Sequence, residues 1–178
     1  IPTFLTRVER WQCDFNDHWN ARFYARSFQM AAETAACLDG SGNPGAAVIA
    51  ERHIRFHREL LVGTAVEVRS ARIEGGEHGG CVLHVLLGDG RPAAVALDRP
   101  GRGGEQLPAI AAQSVAAMLP RNLESPSAGM PTPADGVIRV QLGPVRPVEL
   151  DHTGALLFEE LIARTAVSSH SQLVSLGY

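Results

Sequence analysis

Apolar and polar residues nearly alternate along "FLTRVERWQC", the signature of a half-buried strand, and that strand runs into a polar cluster, "CDFNDHWN". After the cluster the period changes. Tyr24, Phe28, Ala31, Ala35 and Leu38 recur at steps of three and four, while Arg22, Arg26, Gln29 and Glu33 fall off that stripe. The spacing predicts an amphipathic helix from Asn20 to Leu38, with Gly40 as its stop. Its alanines would let a partner surface approach closely. Strand-like runs follow: "VIAERHIRFHREL", "TAVEVRSARI", "CVLHVLLG" and "AAVALD", separated by the turns "LLVGT", "EGGEHGG" and "DGRP". Turns this tight require antiparallel neighbours. The expected class is therefore α+β, one antiparallel sheet burying its apolar face on one long helix.

Beyond Asp98 the texture shifts. "RPGRGGEQLP" reads as a loop, "AIAAQSVAAML" as a short helix, and "PRNLESPSAGMPTPADG", rich in proline, as an interdomain connection. A strand-like run, "VIRVQLGPVRPVELDHTGAL", then leads into a helical one, "LLFEELIARTAVSSHSQLVSLG". Laying Asp14 on Asp151 brings Asp17 onto Gly154, Asn20 onto Leu157 and Gly40 onto Gly177. This is an internal repeat of strand, acidic loop, helix and glycine. The expected organisation is a first unit over 1–99, a connection over 100–135, and over 136–178 the strand and helix of a partial second unit, either cut short before its strands or completing a different arrangement.

Charge and cysteine content narrow the function. Formal net charge is -3, and the 16 basic residues, all arginine, are scattered, which argues against a nucleic-acid surface. Cys13, Cys37 and Cys81 form neither a disulfide framework nor a zinc pattern, as expected of a cytoplasmic protein. No apolar run reaches the roughly 20 residues that span a bilayer, and "IPTFLTRVER" lacks a signal-peptide layout.

The chemistry concentrates in the cluster, where Asp14, Asn16, His18 and Asn20 stand at alternate positions before the helix. Helix-initial amides lack intrahelical partners and favour negative charge, so polar groups there suit a reaction that generates an oxyanion. Asn16 and Asp17 equally suit helix capping, and Asn20 suits tying the loop to the helix. Tyr24, on the apolar stripe, is expected in the core, as are Trp11 and Trp19 unless they line a pocket. His53 and His57, four apart, would share a strand face, but no third ligand joins them.

The pattern DxNxHxNxxxY at a strand-to-helix junction, followed by four antiparallel strands with "HIRFHRELLVGT", resembles hot-dog-fold acyl thioesterases of the 4-hydroxybenzoyl-CoA thioesterase and acyl-ACP thioesterase type. The likeness implies a sheet wrapped around the central helix. It also implies Asp14 as nucleophile or general base, Asn16 as an orienting group and His18 as an aid to proton transfer. Many members have glycine where this chain has Asp17. Around the reacting centre, Asp17, Trp19, Asn20, Arg55, Arg58 and Glu59 are the expected substrate-binding set, with Arg55 and Arg58 meeting coenzyme A phosphates. The implied activity is acyl-CoA hydrolysis without metal or bound cofactor, coenzyme A being part of the substrate, in a homo-oligomer. Alternatives are an acyl-ACP thioesterase and a non-catalytic acyl-CoA-binding module. By the same likeness, Asp151 and His152, without the following asparagines, would complete a pocket and leave catalysis to the first copy.

Overall fold

The computed structural model of the chain describes residues 1–41, 45, 47–120, 143–151 and 153–175, with backbone alone at 41 and 167–175. They belong to two compact units, Ile1–Asn122 and Leu123–Tyr178. The first contains β1 (Pro2–Arg7), α1 (Ala21–Ala36), β2 (Val48–Phe56), β3 (Ala65–Glu74), β4 (Val82–Gly88), β5 (Arg91–Arg102), β6 (Ala109–Ala111) and the single turn α2 (Ala112–Val115). Its sheet runs β1-β3-β4-β5-β2, with β6 added to β3. Every pairing is antiparallel except the last. The α+β arrangement expected from the hairpin-sized connections is present.

The stripe on α1 determines how the helix meets the sheet. Phe23, Tyr24, Phe28, Ala31, Ala32 and Ala35 are buried, and Leu60, Val66, Val68, Leu86, Ala94 and Ala96 belong to the same core. Small residues on both surfaces permit close approach, with Phe23, Tyr24 and Phe28 filling the thicker end near the helix start. At the far end α1 gives way to a wide turn, Cys37–Ser41, in which Gly40 takes φ 85°, the left-handed stop expected of it. Leu38 falls outside the helix and is half-exposed.

Three sequence-based boundaries shift. The first strand stops at Arg7, and Arg10–Gln12 form a 3-10 turn instead of continuing it. The expected loop after Asp98 is the end of β5, where Pro100 pairs with Ile49 and Arg102 with Val48 across bulges. β4 reaches only to Asp98, so β5 has a partner on one side beyond it, an edge where proline is tolerated. Finally, "AIA" forms β6 where a helix was expected, and only Ala112–Val115 are helical. β1 covers β3 as far as Arg69, leaving the edge from Arg72 to Glu74 for Ala109–Ala111. An open edge outweighs the helix preference of alanine. The interdomain connection from 121 onward, residues 137–142 of the expected strand, His152 and Gly177 lie outside the described residues; the described remainder of that expected strand forms instead a 3-10 turn, Pro147–Glu149, and an isolated bridge between Leu150 and Leu156. No helix among the described residues is long and apolar enough to cross a membrane.

Polar residues also cross the interior. Arg52 on β2 grips Asp98 on β5 with two hydrogen bonds, 2.7 Å from Nε and 2.5 Å from Nη2, and reaches α1 at Gln29 Oε1, 3.2 Å away. His84 Nε2 on β4 lies 3.3 Å from Asp98 Oδ2, off the line of a good hydrogen bond. Its Nδ1 contacts Ser70 Oγ at 2.6 Å, and Ser70 Oγ contacts Thr3 Oγ1 at 2.6 Å. One row thus links all five main strands. Burial alone would raise the Asp98 pKa, but the Arg52 charge and hydrogen bonds, helped by His84, overcome this and hold it at about 2.

Because that value is depressed, the stabilisation is complete above the unfolded carboxylate value near 4 and is lost as pH falls through about 2. Asp98→Asn, which strips the buried guanidinium of its counter-charge, is expected to cost about 3–5 kcal/mol in urea unfolding at pH 7. The difference from the parent should shrink toward pH 2.

Candidate active site

The polar cluster folds as a closed turn ahead of α1. Cys13 and Trp19 pair as an isolated antiparallel bridge, and the Asp14 amide donates to the His18 carbonyl at 2.9 Å. Within the turn, Asp14 Oδ1 accepts the amides of Asn16 at 2.8 Å and His18 at 3.0 Å. One carboxylate oxygen, Oδ1, therefore organises the loop. Asp17 sits at φ 61°, the left-handed conformation glycine adopts most easily, and its carboxylate lies 3.5 Å from Arg10. Asn16 is exposed within the turn, and Phe15 stands 94% exposed at its apex.

Backbone pairing then locks this turn to the segment after β2. The Trp19 amide donates to the Leu60 carbonyl at 2.8 Å, and Tyr24 Oη accepts the Leu60 amide at 2.9 Å. His18 pairs with Leu61, and the Val62 amide reaches the Asp17 carbonyl at 3.2 Å. As a result Glu59 Oε2 lies 3.1 Å from His18 Nδ1. Burial pushes the Tyr24 hydroxyl up to about 12, only partly offset by the Leu60 amide, so it serves as a neutral acceptor in the core.

Of the expected site residues, Asp14, Asn16, Asp17, His18 and Glu59 come together here. Asn20 is the N-cap of α1, accepting the Arg22 amide at 3.1 Å. Trp19 is buried against Tyr24, ring centroids 4.4 Å apart, and its indole donates to Gln12 Oε1. Trp11, expected in the core, is 70% exposed and meets Phe23 edge-on. Arg55 donates to the carbonyls of Ala117 and Leu119, and Arg58 to those of Gly88, Pro92 and Arg91, so both brace backbone. His53 contacts Glu51 at 2.7 Å, whereas His57 lies past the end of β2 and shares no strand face with it. Among the described residues no three of His, Cys, Asp and Glu converge on a possible metal site. The helix mouth offers fewer donors than expected. Arg22 N is taken by Asn20 Oδ1 and Phe23 N by the Asn20 carbonyl, which leaves the Ala21 amide as the donor at the start of α1.

The second unit repeats the turn. Asp151 Oδ1 accepts the amides of Thr153 at 2.8 Å and Ala155 at 3.0 Å, and the Asp151 amide donates to the Ala155 carbonyl at 2.8 Å. A 3-10 turn, Pro147–Glu149, precedes it, Gly154 at φ 85° occupies the position of Asp17, and α3 (Phe158–Ser175) follows. The internal repeat read from spacing is thus a repeat of hydrogen-bonded geometry. Ala155 stands where the first copy has His18.

Fold and loop together define a helix-on-sheet protein with a carboxylate turn at the helix mouth. Residues 8–101, more than half of the chain, match the thioesterase-like superfamily, and the chain belongs to that superfamily. It is an enzyme of the thioesterase class, whose general reaction is thioester hydrolysis. None of the curated proteins matches it. Among solved structures, it is similar to a Pseudomonas putida protein assigned as a thioesterase, with TM-score 0.50 and 22% identity over 74% of this chain and 97% of that one. A Thermus thermophilus thioesterase complexed with coenzyme A and zinc gives TM-score 0.46 and 21% identity over 58% and 83%. A hexameric thioesterase from Yersinia pestis gives 0.47 and 13% over 57% and 91%. The hot-dog fold implied by the motif is the fold of the chain.

Two substitutions test this geometry. Tyr24→Phe leaves the buried Leu60 amide without its acceptor and should lower unfolding free energy by about 1–3 kcal/mol in urea titration. Asp17→Gly should relieve the left-handed strain and raise the melting temperature, with a gain of up to about 1 kcal/mol. The surface pair with Arg10 that it removes contributes little.

Proposed function

We propose that the protein hydrolyses acyl-CoA thioesters at the Asp14 turn. The observation that carries this reading is the difference between the two copies. Both use an aspartate oxygen to close the turn, but only the first adds His18 braced by Glu59. A carboxylate that served structure alone would need no such partner.

Asp14 Oδ2 acts as general base on a water molecule, whose oxygen attacks the thioester carbonyl carbon. The developing oxyanion meets the Ala21 amide at the start of α1, where the helix field favours negative charge. As the carbon–sulfur bond breaks, the proton that Asp14 took from the water passes by way of His18 Nε2, the ring nitrogen opposite the one that Glu59 holds, to the departing thiolate, which returns Asp14 to its carboxylate form. Asn16, exposed in the turn, orients water or the acyl group. Direct nucleophilic attack by Asp14, through an anhydride that water then cleaves, uses the same groups. Trp19, Asn20 and Arg58 act indirectly, by holding the loop, the helix start and the β4–β5 turn. The outer edges of β1 and β2 carry no further strand among the described residues, which supports assembly into an oligomer.

Release of free thiol from short, long and aromatic acyl-CoAs tests the assignment. Asparagine keeps the Oδ1 acceptor, so Asp14→Asn should melt within about 0.5 kcal/mol of the parent while losing at least ~100-fold in kcat. Full activity in that variant, or no turnover of any thioester by the parent, would contradict the proposal.

A further inference from the structure

Gln12, the last residue of the 3-10 turn, carries hydrogen bonds in three directions. Its side-chain oxygen Oε1 accepts the Glu9 amide at 3.0 Å, which closes the turn, and the indole Nε1 of Trp19 at 3.1 Å. Its carbonyl accepts the amide of Asn20, the cap of α1, at 3.0 Å. Both partners of the side chain can only donate, so the atom between them must be the amide oxygen. Gln12 thus spans the neck of the acidic turn. Cys13 and Trp19 pair across that neck, with Asp14 following on one side and His18 preceding on the other.

The second copy shows which part of this clamp belongs to folding. The shift that lays Asp14 on Asp151 lays Gln12 on Glu149, Glu9 on Arg146 and Asn20 on Leu157. Glu149 Oε2 accepts the Arg146 amide at 2.7 Å, and the Glu149 carbonyl accepts the Leu157 amide at 2.8 Å. The bond to the far side of the neck differs. Leu156 stands at the position of Trp19, and Glu149 Oε1 accepts Arg164 Nη2 at 2.9 Å. Turn closure and the helix start are therefore common to both copies, whereas the bond to the neighbour of the imidazole belongs to the first. That bond fixes the indole, which packs on Tyr24 with ring centroids 4.4 Å apart.

We propose that Gln12 is a positioning residue for the reaction, which through Trp19 sets the separation of the Asp14 carboxylate and the His18 imidazole. The assignment rests on the hydrolase reading above. It requires an acceptor oxygen at this position and not the amide nitrogen, since Glu149 makes the corresponding backbone bonds with a carboxylate.

Thioester turnover at the plateau of each variant's pH profile, with amide NMR of the unliganded full chain, tests this. Gln12→Met keeps the length of the side chain without its oxygen, and kcat should fall at least about tenfold with KM held within about twofold. Gln12→Glu restores the acceptor and should return kcat to within about threefold of the parent. Trp19→Phe removes the donor at the other end and should lose as much as Gln12→Met, with the double variant no more than about twofold below either. A residue that only stabilised the fold would lower the melting temperature and leave the kcat of the folded protein alone. In the spectra, Gln12→Met and Trp19→Phe should shift the amides of Asp14, Asn16 and His18 and leave those of β4 still, and Gln12→Glu should restore the parental positions. Parental kcat in Gln12→Met, losses that multiply in the double variant, or a Gln12→Glu no better than Gln12→Met would overturn the inference. No turnover by the parent would overturn the hydrolase reading, whereas the amide shifts judge the clamp with or without turnover.

Discussion

The peptide unit of Leu60 is the joint on which the candidate site depends. Its carbonyl accepts the Trp19 amide and its amide donates to Tyr24 Oη, so one buried residue after β2 holds both the end of the acidic turn and the first turn of α1. Leu60 is 1% exposed, with water excluded from both bonds, so neither can be exchanged for solvent at little cost. Through this joint the turn acquires a fixed position, and through the adjoining pairs at Leu61 and Val62 it acquires Glu59 beside His18. Sheet, helix and loop are therefore a single mechanical object near the chemistry. The far end of α1 is tied separately, by Asp39 accepting the amides of Gly104, Glu105 and Gln106.

Duplication of the turn separates what is structural in it from what is chemical. In both copies an aspartate oxygen spans two amides, and a residue with positive φ closes the reversal, glycine in one and Asp17 in the other. The Asp14 position would thus be retained by folding alone. At the positions of His18, Asn16 and Asn20 the second copy carries Ala155, Thr153 and Leu157. Thr153 hydroxyl instead adds a third bond to Asp151 Oδ1 at 2.6 Å.

Periodic features were legible in the sequence because they depend on neighbours along the chain. The helix stripe, the hairpin strands, the Gly40 stop and the acidic turn all follow from local spacing. Features that depend on strand order were not. Arg52 and Asp98 look like solvent-facing strand charges until β2 and β5 are placed side by side, and Ser70, His84 and Thr3 join them only across the assembled sheet. Arg55 and Arg58 looked like anion binders because nothing local reveals the carbonyls they meet. Trp11 was misplaced for a related reason, since a strand continuing through it would have turned the indole inward, whereas the 3-10 turn at Arg10–Gln12 exposes it.

The measurement that bears most directly on the account is an amide NMR titration of the isotope-labelled protein with a non-hydrolysable acyl-CoA analogue. The account requires the largest shifts at Asp14, Asn16, His18 and Ala21, with smaller ones at Glu59 to Val62, whose backbone is bonded to the turn. Saturable binding that left those residues still and moved instead the small cavity between Ala32, Ala35, Val82, His84 and Asp98 would place the acyl group at the opposite end of α1. That result would contradict the Asp14 turn as the reaction site.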